Sequence, residues 1–198
     1  MPDIPEVELP DPDELEGIKG KAFTRRVALT TAVYAVLLAI SALGGNNATK
    51  EMLLAQQQAS NQWAFYQAKV IREHQYRSLR LRLAVELAEP GPAMPPEARQ
   101  KYEALLAEYT AEERRYNVEK KDIEKDARKF EHERDVNHNK DPYFDFAEVL
   151  LQIAIVVSSV SILATSRPMY ALSLVLAICG ILLALNGYTL VAQLPFLH

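Results

Sequence analysis

Apolar and polar positions divide this chain into segments of very different character. Three stretches are apolar over the roughly 20 residues that a helix needs to cross a hydrocarbon core. They run from Val27 to Gly45, from Phe146 to Ser166 and from Met169 to Ala192. Between the first and second lie two runs without proline or glycine, Thr49 to Glu89 and Glu97 to Lys140. They are separated by Pro90-Gly91-Pro92-Ala93-Met94-Pro95-Pro96, which no helix can traverse. The pattern predicts two helical arms folded back on each other, each on the order of 60 Å long at a helical rise of 1.5 Å per residue.

In the second arm, spacings of three and four link Tyr102, Leu105, Tyr109, Glu112, Tyr116, Glu119, Ile123, Ala127 and Phe130, the pattern of a coiled-coil seam. In the first arm a stripe through Met52, Ala59, Trp63, Tyr66 and Val70 gives way to Tyr76, Leu79, Leu83 and Leu87, which reads as a register shift. Few breakers separate the arms from the first two apolar stretches. The first and second spans are therefore expected to continue as one helix into the solvent phase, with Gly44-Gly45-Asn46-Asn47 and Asp141-Pro142 as candidate bends. The fold expected is therefore an all-α membrane protein, three transmembrane helices with a long antiparallel coiled-coil hairpin between the first and second. Its segments are an acidic arm over 1–22, a first span over 23–47, the hairpin over 48–145 with its turn at 90–96, a second span over 146–166 and a third over 168–192.

Charge sharpens this picture. The 198 residues average 24% charged, with a net charge of -4, figures that alone suit a soluble domain. Yet from Phe146 to His198 the ionisable side chains are only Glu148, Arg167, Tyr170, Cys179, Tyr188 and His198, so charge is partitioned by segment. The basic run Lys19, Lys21, Arg25, Arg26 resembles the start of a signal peptide, but it follows an acidic leader, and Asn46-Asn47-Ala48-Thr49-Lys50 is a poor cleavage site. An uncleaved span is expected. Positive residues in short flanks mark the cytoplasmic side. The N-terminal run and Arg167 fall on one side, which places the N-terminus in the cytoplasm and the hairpin outside it. Arg167-Pro168 implies a tight turn between the second and third spans, with proline opening the new helix.

Residues 49 to 145 hold 17 Lys or Arg and 18 Asp or Glu, a nearly balanced mixture typical of a solvated coiled coil that argues against a nucleic-acid partner. Met52 to Ala68 departs from it, with no charge at all. A helix surface bathed in water ordinarily mixes charge into its outward face. This stretch nominates Gln56, Asn61, Gln62, Trp63, Tyr66 and Gln67 as an interaction surface, shielding by the second arm and by lipid headgroups being the alternative. Within the spans, Glu148, Gln152 and Asn186 are the polar candidates. Such groups serve as glue between helices or line a wet path.

The run Ser60-Asn61-Gln62-Trp63-Ala64-Phe65-Tyr66-Gln67-Ala68-Lys69 follows a first span containing Arg26-Val27-Ala28-Leu29-Thr30-Thr31-Ala32. Together with Phe146-Ala147-Glu148-Val149-Leu150-Leu151-Gln152-Ile153-Ala154-Ile155-Val156, it resembles the bacterial family catalogued as domain of unknown function 4337, from about Phe23 onward. That resemblance implies a bacterial inner-membrane protein with three spans, and no activity. In the family an acidic residue often stands where Asn61 stands here, so chemistry resting on a carboxylate at that position would be missing from this member.

No phosphate-binding glycine loop, His-Glu-x-x-His or paired cysteine motif occurs, and Cys179 is the single cysteine. His132, Asp135 and His138 could share a helix face, but three dispersed ligands on a highly charged helix read as solvated surface rather than a zinc site. The expectation is a non-enzymatic membrane scaffold with no cofactor and no metal. It would contact membrane lipid and either self-associate or dock on a larger membrane complex through the hairpin. The alternative is a homo-oligomeric conduit lined by the uncharged Gln/Asn face and gated near Glu148.

Overall fold

The computed structural model describes residues 12–88 and 94–192, with side chains from Gly20. All regular structure among the described residues is helical: α1 spans Pro12–Ala88, α2 Pro96–Leu163 and α3 Arg167–Thr189. Each of the three is long and apolar enough to cross a membrane. The first half of the acidic arm, 1–11, and most of the proline-rich turn, within 89–93, lie outside the described residues. As expected, α1 and α2 each run unbroken from an apolar stretch into an arm, with the candidate bends Gly44 to Asn47 inside α1 and Pro142 inside α2. The chain divides into two compact units, Met1–Thr49 with Asn137–His198, and Lys50–Val136.

The first unit packs parts of all three helices, with small and hydroxyl-bearing residues inside and large apolar residues outside. Ala147, Leu151, Ala154, Ser158, Ser161, Ser173 and Ala177 are buried, whereas Val33, Leu43, Val156, Val175, Ile178 and Leu182 are exposed. Small residues let helix backbones approach closely, and each serine hydroxyl can find an acceptor within its own helix. Ser158, Ser161 and Ser173 all do so, donating to the carbonyls of Ile155, Ser158 and Tyr170. Across helices, Thr31 Oγ1 lies 2.7 Å from Ser158 Oγ and Thr30 Oγ1 lies 3.2 Å from the Tyr170 hydroxyl.

Phe144 gives the glycines their place. Its ring fills the space that side chains would need at Gly44 and Gly187, where a Cβ would stand 2.6 Å and 3.1 Å from ring carbons. These glycines are points of close approach, and the Tyr188 ring meets Phe144 edge-on at 4.9 Å. Proline removes one helical hydrogen bond at position 142. The buried packing of Tyr143 and Phe144 immediately beyond it, together with a bond from Thr49 Oγ1 to Asp141 Oδ1 of 2.8 Å, holds α2 through that loss. Between α2 and α3 the turn is tight, as expected. Thr165 takes a left-handed conformation, Ser166 N–H donates to the Ser161 carbonyl, and Pro168 follows at the start of α3.

In the second unit α1 and α2 run antiparallel, because low-numbered residues of one meet high-numbered residues of the other: Gln56 bonds Arg134, Trp63 bonds Glu131, Lys69 bonds Glu119 and Arg80 bonds Glu113. The register shift expected in α1 does not occur. Met52, Ala55, Ala59, Gln62, Tyr66, Lys69, Glu73, Tyr76, Arg80, Leu83 and Leu87 are all buried or half-buried, and their spacings alternate three and four without interruption. Leu79 points outward at 42% exposure, and its expected place in the seam is taken by Arg80. In α2 the outward-facing Leu105 likewise yields to Leu106.

Replacing Gly44 with alanine is expected to destabilise the first unit by about 1–3 kcal/mol, because a buried aromatic ring must move. A Cβ at Gly20 meets nothing within 4 Å, so Gly20→Ala should be neutral or mildly stabilising. Thermal melts of both variants in detergent, followed by circular dichroism, check the contrast.

Candidate functional site

The seam of the second unit carries its charge in an ordered way. Glu73, 7% exposed, meets Lys120 at 2.5 Å and accepts a 2.8 Å hydrogen bond from Asn117. Burial works against the Glu73 carboxylate, yet the bonds from Lys120 and Asn117 outweigh it and hold the group below its ordinary value of 4.5. Neighbouring Tyr116 is also buried. It stacks on Tyr76 at 5.6 Å, and its hydroxyl accepts hydrogen bonds from Arg72 and Arg115, which lower its pKa. Lys69 and Arg115 stand 5.2 Å and 4.9 Å from the Tyr116 ring centroid, within cation–π range. These groups satisfy one another.

The residues nominated from the uncharged stretch separate into two sets. Trp63 and Tyr66 meet edge-on at 5.4 Å, half-buried on the seam side, and the Trp63 indole N–H donates to Glu131 Oε1 at 2.9 Å. Gln62 is half-buried on the same side, and Gln56 Oε1 accepts a bond from Arg134. Asn61 and Gln67 are exposed.

Opposite the seam, α1 presents a second stripe. Leu53, Gln57, Asn61, Ala64, Ala68, Ile71, Gln75 and Ser78 recur every three or four residues and are all exposed. Phe65 flanks the stripe at 61% exposure. Between Lys50 and Arg82 the stripe positions themselves carry no charge, and exposed Arg72 stands at the flank one heptad beyond Phe65. At the helical rise the stripe is roughly 40 Å long. Val70, Ile71, His74, Gln75, Ser78 and Leu79 shape an open depression toward its far end. The exposed face of α2 differs, with Lys121, Asp122, Lys125, Asp126, Lys129 and Glu133 following in close succession. Leu53, Gln57, Phe65 and Ile71 were not among the residues nominated from sequence. The signal that would have found them is a helical wheel centred on the side opposite Glu73 rather than on the most aromatic residues.

Within the first unit the three polar candidates have different surroundings. Asn186 caps the end of α3, its side chain accepting from the Ala192 N–H at 2.9 Å and donating to the Ala192 carbonyl at 2.7 Å. Glu148 is half-buried beside Gly45, and Gln152 is exposed. His132, Asp135 and His138 are exposed, and among the described residues no three metal-ligating side chains converge.

A family model for the domain of unknown function DUF4337 matches residues 23–190. The chain belongs to the DUF4337 family. No curated protein and no solved structure matches it. Membership accounts for the first two apolar stretches and the Trp63 region together, since the matched residues include them all.

Removing one partner of the buried ion pair should cost far more than removing both. Lys120→Met strands the Glu73 carboxylate and is expected to destabilise the helix pair by roughly 3 kcal/mol, whereas Glu73→Leu with Lys120→Leu should be close to neutral. Urea titration followed by helical circular dichroism distinguishes the two. Because the folded pKa of Glu73 lies below the unfolded one, its stabilisation is present above about pH 4.5 and is lost as pH falls through the folded value. Glu73→Gln should flatten that acid-side loss in a pH series of melts.

Proposed function

We propose that this member of the DUF4337 family is a non-enzymatic integral membrane scaffold of the bacterial inner membrane that associates with a second copy of itself through the outward face of α1. In this reading the three helices of the first unit cross the bilayer, the N-terminus is cytoplasmic, and α1 and α2 form a helical hairpin on the opposite side. The inside-out distribution of the first unit supports the membrane part. Buried serines and alanines beneath an exterior of valine, leucine and isoleucine would be penalised in water and are natural in lipid.

The observation that carries the functional part is the charge-free stripe from Leu53 to Ser78. It is not covered by α2, whose own seam occupies the other side of α1. Exposed Leu53, Phe65 and Ile71 supply apolar area, while Gln57, Asn61 and Gln67 supply amides that can bond a copy of themselves across a symmetric contact. The core of a single three-helix unit is filled by Leu151, Ala154 and Ala177, so the alternative of an ion conduit requires several copies around an axis. Liposomes containing the protein that stay ion-tight exclude that alternative.

Ala64→Glu with Ala68→Glu places two charges at the centre of the stripe without touching the seam. Native mass spectrometry of the solubilised protein should show the oligomer reduced to monomer, with helical content unchanged. Oligomer size identical to the parent chain overturns the reading.

A further inference from the structure

The end of the three-helix unit built from the start of α1 and the α2–α3 turn carries cations without partners. Lys21, Arg25, Arg26 and Arg167 are exposed, and none of them makes an ion pair with a described residue. Residues 20–49 and 149–192 contain no Asp or Glu at all. Two contacts bring the α1 and α3 cations to the same end: the Phe23 and Tyr170 rings meet edge-on at 5.9 Å, and Thr30 Oγ1 lies 3.2 Å from the Tyr170 hydroxyl. Arg167 precedes Tyr170 by one turn of α3, and Arg26 precedes Thr30 by one turn of α1, so cations of both helices lie at this end. The large apolar residues Leu29, Val33 and Leu172 begin their exposed faces immediately beyond it.

A step from unpaired cations through an aromatic pair to an apolar exterior, all within about two helical turns, matches the chemistry of a bilayer surface, where phosphates meet hydrocarbon. We propose that this end of the unit binds the headgroups of anionic phospholipids, the two adjacent arginines and Arg167 engaging phosphate oxygens. The inference rests on the membrane reading above and adds the partner of this face. Guanidinium groups suit it because they can bond two phosphate oxygens at once. The rival occupant is the chain's own acidic arm, which brings Asp11, Asp13, Glu14 and Glu16 close by in sequence.

The test reconstitutes the full chain into vesicles of equal parts phosphatidylcholine and phosphatidylglycerol, then identifies by native mass spectrometry the lipid that stays bound. The expected result is retention of phosphatidylglycerol over phosphatidylcholine, weakened roughly fivefold for each cation removed and abolished in K21Q/R25Q/R26Q/R167Q. The charge-conserving R25K/R26K/R167K should keep a preference, so loss through misinsertion is separable from loss of charge. A neutralised variant that retains the preference overturns the proposal. So does a parent chain that shows none, and if the preference then emerges in D11N/D13N/E14Q/E16Q, the acidic arm is the occupant. Extraction of the parent chain from the vesicles by alkaline carbonate would defeat the membrane reading instead, and so is a distinct failure.

Discussion

The pairing of Glu73 with Lys120 sets the register on which the second unit depends. In an antiparallel helix pair a slip of one heptad exchanges residues of unequal size, such as Ala59 and Tyr66, at a packing cost of about 1–3 kcal/mol for each overpacked site. It would also leave a buried carboxylate facing the wrong residue, which costs several kcal/mol more. Lys69 with Glu119 and Arg80 with Glu113 repeat the same demand on either side, at positions more open to water and therefore individually weaker. Register in turn decides which residues of α1 are left outward. The charge-free stripe exists as a continuous face only because the charged residues Lys69, Glu73 and Arg80 have been drawn to the seam.

The first unit solves a different problem with different residues. There the helices carry almost no charge to specify partners, and specificity passes to shape. Phe144 seated over Gly44 and Gly187 is a knob that fits one arrangement of three backbones, and a Cβ at either glycine would forbid it. Leu151 does the same one layer away, where a Cβ at Gly180 would stand 3.1 Å from it. Close approach of this kind lets shape alone choose among helix arrangements where charge cannot.

Much of this was legible in the sequence. The three apolar stretches, the two arms, the tight turn at Arg167-Pro168 and the absence of charge from Met52 to Ala68 all follow from periodicity and composition. What was not legible follows from two habits of reading. Charged residues are assigned to solvent, so Lys69, Glu73 and Arg80 were omitted from the seam, and the remaining apolar residues then gave a false register shift at Val70 to Tyr76. Glycines are assigned to bends, so Gly44 and Gly45 were read as a candidate bend, although the structure seats Phe144 against them. Both errors have one physical source. A residue's behaviour depends on the group across from it, and that group lies from 33 to about a hundred positions away along the chain. The same limit separated Trp63 and Tyr66 from Asn61 and Gln67, which are neighbours in sequence and face opposite ways.

The uncharged stripe and the cationic end ask for different kinds of neighbour, and the reason is how each departs from the mixed charge of α2 over 121–133. A cluster of one sign repels itself in isolation and gains by acquiring counter-charge, which an anionic lipid surface supplies at high local density. A face with no charge gains nothing from a charged surface, and its amides and apolar groups pack best against chemistry like their own. Headgroups are a poor explanation for its composition: each headgroup layer adds only on the order of 5–8 Å to the hydrocarbon core, whereas the stripe runs roughly 40 Å along the helix. A helix lying flat on lipid would be expected to flank its apolar positions with lysine and arginine on the polar side. Around Leu53, Phe65 and Ile71 stand mostly amides, Gln57, Asn61, Gln67 and Gln75, with cations only at the edge, at Lys50 and Arg72. Amides in place of ammonium groups are what a protein contact requires, because a cation buried between two identical faces would meet its own copy.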